Sequence, residues 1–344
     1  MYPLQLRGLI CLYVRKWKKG EKIIIFNPTT RELVDVPLVG SHNVKHYQEM
    51  RYCVVCGFGF DSTRNDYKII LITTNTIVNW TWLDVDVYSV RDGQWHSLND
   101  LGPLQSLDKL ACYKRIVAIS NAKGRILNFK AILCIKGKKE ECLLSFDMVD
   151  EVFRVIPMPP PQQQRRRQQQ QQQQQDYDLL ESNSSKWEAC LYNHVNENNG
   201  LEYVDIWVLN EISNYNEVTW SKRACIKIPN KYYLDCIVGV WMNDNELLLN
   251  LREKVGKDLM KTEMFVYDVS DQRLIRAGRK DVRWWFQVYG ESLVSIKGNI
   301  GCYNQDVEQN DQLTFFVREI LGRSHVLWSC SFKFDEYSST SSVS

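Results

Sequence analysis

No stretch of this chain approaches the roughly 20 consecutive apolar residues that a membrane-spanning helix requires, so no span is expected. One apolar run near the start, Leu9 to Val14, is about a single strand long. The basic cluster Arg15, Lys16, Lys18 and Lys19 follows it instead of preceding it, which argues against a secretory signal peptide. An excess of one charge is lacking too: 43 basic against 41 acidic residues leave +2, so no global field draws the chain to nucleic acid or to an anionic membrane. There is no Walker loop and no GxSxG elbow, and the five histidines (His42, His46, His96, His194 and His325) have no evident nucleophile partner. Regular cysteine spacing is missing as well. The 11 cysteines, an odd number, fall within strand-like segments such as those around Cys134, Cys142, Cys190 and Cys236, and read as reduced, buried small hydrophobes of a cytoplasmic or nuclear protein. The glycosylation sequons at Asn79 and Asn183 are chance matches in that setting.

What is present favours sheet. Of 344 residues, 44% are hydrophobic and 12% aromatic, with β-branched residues crowded around the aromatics, which describes a globular, β-rich chain. The segment Tyr52 to Ile72, YCVVCGFGFDSTRNDYKIILI, sets two apolar runs around the polar turn Asp61 to Asp66 and predicts a hairpin. Gly57 and Gly59 alternate with aromatics, as expected where a neighbour approaches one face so closely that a side chain is excluded.

A unit recurs along the chain: a strand ending near an aromatic, a short polar turn, and a second short strand. Its copies centre on Phe26, Tyr88, Phe146, Trp207 and Tyr267, spaced by about 60 residues. Further strands are expected between the copies, within Tyr52 to Ile72, Ile126 to Ile135, Trp187 to Tyr192, Gly239 to Leu251 and Gln287 to Ile296. Each repeat then holds about four strands, and four-stranded sheets that cannot bury both faces alone predict an all-β chain built as a β-propeller. Counting Phe315 to Val317 and Val326 to Phe334 as a partial unit gives about six blades, with Gly8 to Val14 as the partner that closes the ring. Trp95 is expected to be a buried aromatic whose truncation destabilises the fold.

The tract Pro157 to Gln175 is rich in proline and glutamine and has too little apolar surface to offset its ordering entropy. The 60-residue rhythm carries across it from Phe146 to Trp207. The expected organisation is therefore one domain over 1–335, interrupted by a disordered loop over 158–185, with a disordered serine-rich tail over 336–344. Arg165, Arg166 and Arg167 within that loop read as a solvated charge run.

Candidate chemistry is sparse. His42, His46, Cys53 and Cys56 have the residue types of a zinc site. A spacing of three along a strand, however, sends Cys53 and Cys56 to opposite faces, so no metal is expected. Gly57 and Gly59 begin a dinucleotide fingerprint that Ser62 breaks. The acid pairs Asp84/Asp86 and Asp306/Glu308 look like solvated loop charges, and neither cofactor nor catalytic residue is expected. The binding candidates are two tryptophan pairs, Trp80 with Trp82 and Trp284 with Trp285, because exposed tryptophan anchors interfaces well. Packing between blades is the competing account of both pairs.

The ordered motifs FNPTTRELVDVP (Phe26 to Pro37), CGFGFDSTRNDYKII (Cys56 to Ile70), DVYSVRDGQW (Asp86 to Trp95), LLSFDMVDEVFRVIPMP (Leu143 to Pro159) and VDIWVLNE (Val204 to Glu211) resemble the F-box-associated domain of plant F-box proteins. Its S-locus F-box-like and F-box/kelch-like groups are the most similar. The resemblance implies a propeller that holds a target protein, in a family whose N-terminal F-box joins an SCF-type ubiquitin ligase through a Skp adaptor and cullin. Met1 stands just ahead of Arg7 to Leu12, which match the family's first propeller strand. Skp and cullin are therefore expected as partners only where an F-box comes from outside this chain, and a stand-alone or decoy binder is the alternative. The family's NGxxHW segment is replaced within Cys112 to Leu133 by YKRIVAISNAKGRILNFKAI, so one blade is expected to be altered.

Overall fold

The computed structural model describes residues 3–17, 20–38, 52–75, 82–102, 109–112, 119–120, 123–135, 138–160, 177–180, 187–196, 202–210, 219–241, 245–253, 262–280 and 293–296. All of these belong to one compact unit, Met1–Arg283 with Gln287–Asn304; the second unit, Trp284–Phe286 with Gln305–Ser344, lies outside them.

Five antiparallel sheets follow one another along the chain, each with its strands in sequence order. The first holds β1 (Pro3–Leu6), β2 (Leu9–Trp17), β3 (Gly20–Asn27) and β4 (Glu32–Val36). The second holds β5 (Tyr52–Asp61), β6 (Asp66–Asn75), β7 (Trp82–Ser89) and β8 (Gln94–Ser97). In the third, β9 (Lys109–Cys112) and β10 (Ile119–Ser120) both pair with β11 (Ile126–Ile135), followed by β12 (Lys138–Asp147) and β13 (Val152–Pro157). The fourth is β14 (Tyr177–Leu179), β15 (Trp187–Asn196), β16 (Glu202–Asn210) and β17 (Trp220–Ile228). The fifth is β18 (Tyr232–Trp241), β19 (Glu246–Glu253), β20 (Thr262–Asp268) and β21 (Arg273–Lys280).

Inner strands such as β6 and β19 are nearly continuously apolar because both of their faces are buried, whereas outer strands such as β8 and β17 are largely exposed. Tyr67, Ile69 and Leu71 of β6 pack with Leu9, Cys11, Ile23 and Ile25 of the first sheet. The alternate residues Ile70 and Ile72 pack with Leu127, Phe129 and Phe146 of the third. With a side-chain period of two, one strand thereby feeds two cores. The third sheet continues the pattern through Leu143 and Ile156 against Leu191 and Leu209 of the fourth, and Val204, Ile206 and Val208 meet Leu249, Leu251 and Phe265 of the fifth. Successive sheets lean on each other in chain order, as propeller blades do.

Several expectations are refined. Phe26, Tyr88, Phe146, Trp207 and Tyr267 do all fall on the third strand of a sheet. Gly8 to Val14 does not close the ring, because both edges of β2 are already taken, by β1 and by β3. The loop expected over 158–185 contains a strand, since Tyr177 and Leu180 are apolar enough to enter the cores beside the fourth sheet. Leu293 to Ile296, expected as part of a strand, are irregular; Asn27 Nδ2 donates to Val294 O at 2.7 Å, and Glu32 accepts from Ile296 N at 2.6 Å. The altered blade is the third sheet, whose first strand is split into β9 and β10. Phe315 to Val317 and Val326 to Phe334 lie outside the described residues, as does the Gln-rich tract from Pro161 to Asp176.

Candidate functional site

The repeated turn is the device that positions side chains at one end of these sheets. Phe26, Tyr88, Phe146 and Tyr267 are each the penultimate residue of their strand, followed by Asn27, Ser89, Asp147 and Asp268. Four-residue loops then close on the pairs Asn27↔Glu32, Ser89↔Gln94, Asp147↔Val152 and Asp268↔Arg273. The polar side chain satisfies backbone N–H groups of its own loop, as short Asx and Ser side chains do. Asn27 Oδ1 accepts from Thr29 N at 2.9 Å, Asp147 Oδ1 from Val149 N at 2.9 Å, Asp268 Oδ1 from Ser270 N at 2.8 Å, and Ser89 Oγ from Asp92 N at 3.0 Å. The last loop residue is left-handed each time, with φ of 60° at Arg31, 66° at Gly93, 54° at Glu151 and 53° at Gln272. The β5–β6 hairpin repeats the arrangement with Phe60, Asp61 and Asn65 (φ 53°).

Trp207 departs from this pattern. It sits three residues before the end of β16 beside a β-bulge, and its Nε1 donates to Asn193 Oδ1 at 3.2 Å. Leu209 and Asn210 hold the positions that an aromatic and its Asx take elsewhere.

Glu151 turns from the third sheet back onto the second. There Lys68, only 1% exposed, donates to Asp61 Oδ2 at 2.8 Å, to Glu151 Oε1 at 2.8 Å and to Met148 O at 2.9 Å. All three ammonium protons have acceptors. His96 Nε2 lies 2.8 Å from the other Glu151 oxygen. Burial would pull the Lys68 pKa down, but its two carboxylate bonds outweigh that and raise it. Burial likewise pushes Asp61 and Glu151 up, and their bonds to Lys68 bring both below the usual carboxylate value. Beside this cluster Phe60 N donates to Gly124 O at 2.7 Å. A Cβ built on Gly59 would lie 2.5 Å from Met148 Cγ, the close approach that the Gly57/Gly59 alternation implied.

Lys68 was missed in the sequence. The available signal was a lysine between Tyr67 and Ile69 in a strand with two buried faces, where a cation is tolerated only when paired. Within the cluster Lys68, Asp61 and Glu151 are engaged with one another. Desolvation pushes the Cys142 and Cys190 thiols up to about 12, away from nucleophilic reactivity. Asp86 accepts from Ser97 Oγ, and His194 pairs with Glu202. Among the described residues no group of three His, Cys, Asp or Glu is placed to hold a metal, and His42 and His46 lie outside them.

The F-box associated beta propeller domain model matches residues 7–296. The chain belongs to the F-box associated propeller family. A relative from Arabidopsis thaliana, "Putative F-box protein At3g17490", is 22% identical over 229 residues, which cover 65% of this chain and 49% of that protein. The chain thus spans about half the length of this curated relative. Among solved structures, TolB from Acinetobacter baumannii matches at 8% identity with a TM-score of 0.39, over 82% of this chain and 54% of TolB. Porphyromonas gingivalis dipeptidyl peptidase 4 matches at 10% with a TM-score of 0.40, over 80% of this chain and 38% of that enzyme. At such scores the superpositions carry no weight, and the family match supplies the assignment.

On this F-box associated propeller, Trp82 opens β7, paired with Asn75, at the end of the second sheet opposite the four-residue turns. Trp80, Trp284 and Trp285 lie outside the described residues. No helix among the described residues is long and apolar enough to cross a membrane.

Proposed function

We propose that this F-box associated propeller is a non-enzymatic protein-binding module, the part that presents a target to an SCF-type ubiquitin ligase. The family match over residues 7–296 carries the reading. The internal use of these charges is compatible with it, since Lys68 and Glu151 tie the second sheet to the third while Asp61 and Asp147 are engaged by Lys68 and Arg125. Trp80, Trp82, Trp284 and Trp285 are the proposed anchors for the target.

The test is affinity capture from plant extract with the tagged full chain, followed by ubiquitin analysis of what is captured. Co-purification of Skp and cullin subunits with a ubiquitinated target, lost on changing the tryptophans to alanine, is expected of a receptor. Retained target without ligase subunits would point to the stand-alone or decoy binder instead. Reproducible failure to hold any protein after cross-linking would overturn both.

A further inference from the structure

At the turn end of the first three sheets, acidic and basic side chains are used differently. The carboxylates serve the fold: Asp61 and Glu151 hold Lys68, Asp147 and Asp150 hold Arg125, and Glu32 accepts from Ile296 N. Asp66 is buried and accepts from Ser89 Oγ at 2.6 Å. Arg7, Arg64, Arg91 and Lys123 are all exposed, and none forms an ion pair with a described carboxylate. Asp92 and Asp150 are the exposed carboxylates among the described residues there, and Asp150 is paired with Arg125.

These four cations surround one turn. The Arg7 guanidinium lies 3.8 Å above the Phe60 ring centroid and reaches Lys123 O at 3.5 Å; Phe60 is bonded to Gly124 and leads into the Asp61 to Asn65 turn. Arg64 stands on that turn, and Arg91 crosses from the β7–β8 loop to donate to Arg64 O at 3.0 Å. With Asp61, Asp66 and Asp147 buried and Asp150 paired to Arg125, the described residues at this end present these four cations against the exposed carboxylate of Asp92, a local positive face on a chain of net charge +2.

We propose that this face docks an acidic, Asp/Glu-rich peptide segment of a partner protein. Guanidinium forks match carboxylates bidentately, and three of the four cations are arginine. A single-stranded nucleic acid would call for open aromatic faces on which to stack its bases, and Arg7 already covers Phe60. The inference rests on the protein-binding reading above and names the chemistry of the partner.

The test is fluorescence anisotropy of the full chain with a labelled glutamate-rich peptide of about ten residues, long enough to span several cations. The Gln-substituted peptide and a single-stranded RNA of equal length serve as comparisons. The glutamate peptide is expected to bind at least about tenfold tighter than the Gln peptide and to weaken about tenfold between about 0.05 and about 0.5 M salt. Arg64→Glu with Arg91→Glu should abolish the preference, and the milder Arg64→Gln with Arg91→Gln should reduce it if the reversal fails to fold. Lys227→Glu with Arg273→Glu, on the outer strands of the fourth and fifth sheets, should leave it unchanged. Equal binding of both peptides, equal loss in the Lys227/Arg273 control, or tighter binding of RNA would overturn the proposal. If the peptide fails while tryptophan-dependent target capture persists, only this surface is wrong; if both fail, the protein-binding reading goes with it.

Discussion

Lys68 places a full charge where its side chain is only 1% exposed, and it is tolerated because three acceptors surround it. Removing the cation leaves Asp61 buried without its partner, so Lys68→Met should cost about 3–5 kcal/mol in urea melts at neutral pH. A cost below about 1 kcal/mol would show that the pair contributes little. The pH dependence has a definite sign. Asp61 and Glu151 are lowered in the folded state, so their contribution is complete above their unfolded values and fades as pH falls through the lowered ones. Lys68 is raised, so its share persists until pH rises through its folded value, above the ordinary lysine range. Asp66, raised by burial, works the other way and favours the fold as it protonates. The gap between Lys68→Met and wild type should therefore narrow in acid, and an equal gap at about pH 3 and about pH 7 would contradict the ion-pair account. Gly59 gives a second residue-scale expectation. Ala there meets Met148 Cγ at 2.5 Å and Gly124 O at 2.9 Å, and should cost about 1–3 kcal/mol. In a double-mutant cycle Met148→Ala should relieve part of that cost; strict additivity would mean the clash is absorbed elsewhere. The glycine was legible in the sequence, because alternation with aromatics is a local pattern. Lys68 was not, because its partner Glu151 arrives from a strand pair of another sheet.

The repeated element is a strand pair closed by an aromatic, an Asx or Ser, and a left-handed fourth loop residue. Four of its five copies were readable from the spacing of Phe26, Tyr88, Phe146 and Tyr267, since turn chemistry is local. The fourth sheet misled, because Trp207 fills the rhythm while Leu209 and Asn210 hold the structural positions. Outer strands add a contact between neighbouring sheets that the sequence did not announce. Trp95 Nε1 donates to Pro37 O at 2.5 Å and Trp220 Nε1 to Pro157 O at 2.8 Å, so each reaches the proline after or at the end of the preceding sheet's outer strand. Trp95 is half-buried, packed on Tyr88 at 5.1 Å between ring centroids, and not enclosed as expected, because β8 is an edge strand with one side open. Trp95→Ala should therefore cost about 2–3 kcal/mol, less than a fully enclosed aromatic would. Trp95→Phe and Trp220→Phe, which keep a ring but lose the donor, should cost about 0.5–1.5 kcal/mol each and add in the double variant. A loss at one site and none at the other would show that the two contacts are not equivalent.

For the molecule as a whole, the end of the family match returns to the first sheet. Asn27 Nδ2 donates to Val294 O at 2.7 Å, while Glu32 accepts from Ser295 Oγ at 2.8 Å and from Ile296 N at 2.6 Å; Ile296 enters the core between the first two sheets. The propeller class was legible through two-sided apolar strands and the family motifs. This clamp was not, because its partners are more than 260 residues apart and neither side is a motif. Asn27→Asp separates the clamp from the turn, since it keeps the acceptor for Thr29 and Thr30 and deletes the donor to Val294. Hydrogen exchange should then speed up by about tenfold or more around residues 294–296, the consequence of losing a bond worth about 1–2 kcal/mol, while the 28–31 turn keeps its protection. Glu32→Gln, which retains one oxygen, should produce a smaller change in the same region. If exchange at 294–296 stays at the wild-type rate in both variants, the segment is held by Ile296 packing alone and the polar clamp contributes nothing to joining the two ends of the family domain.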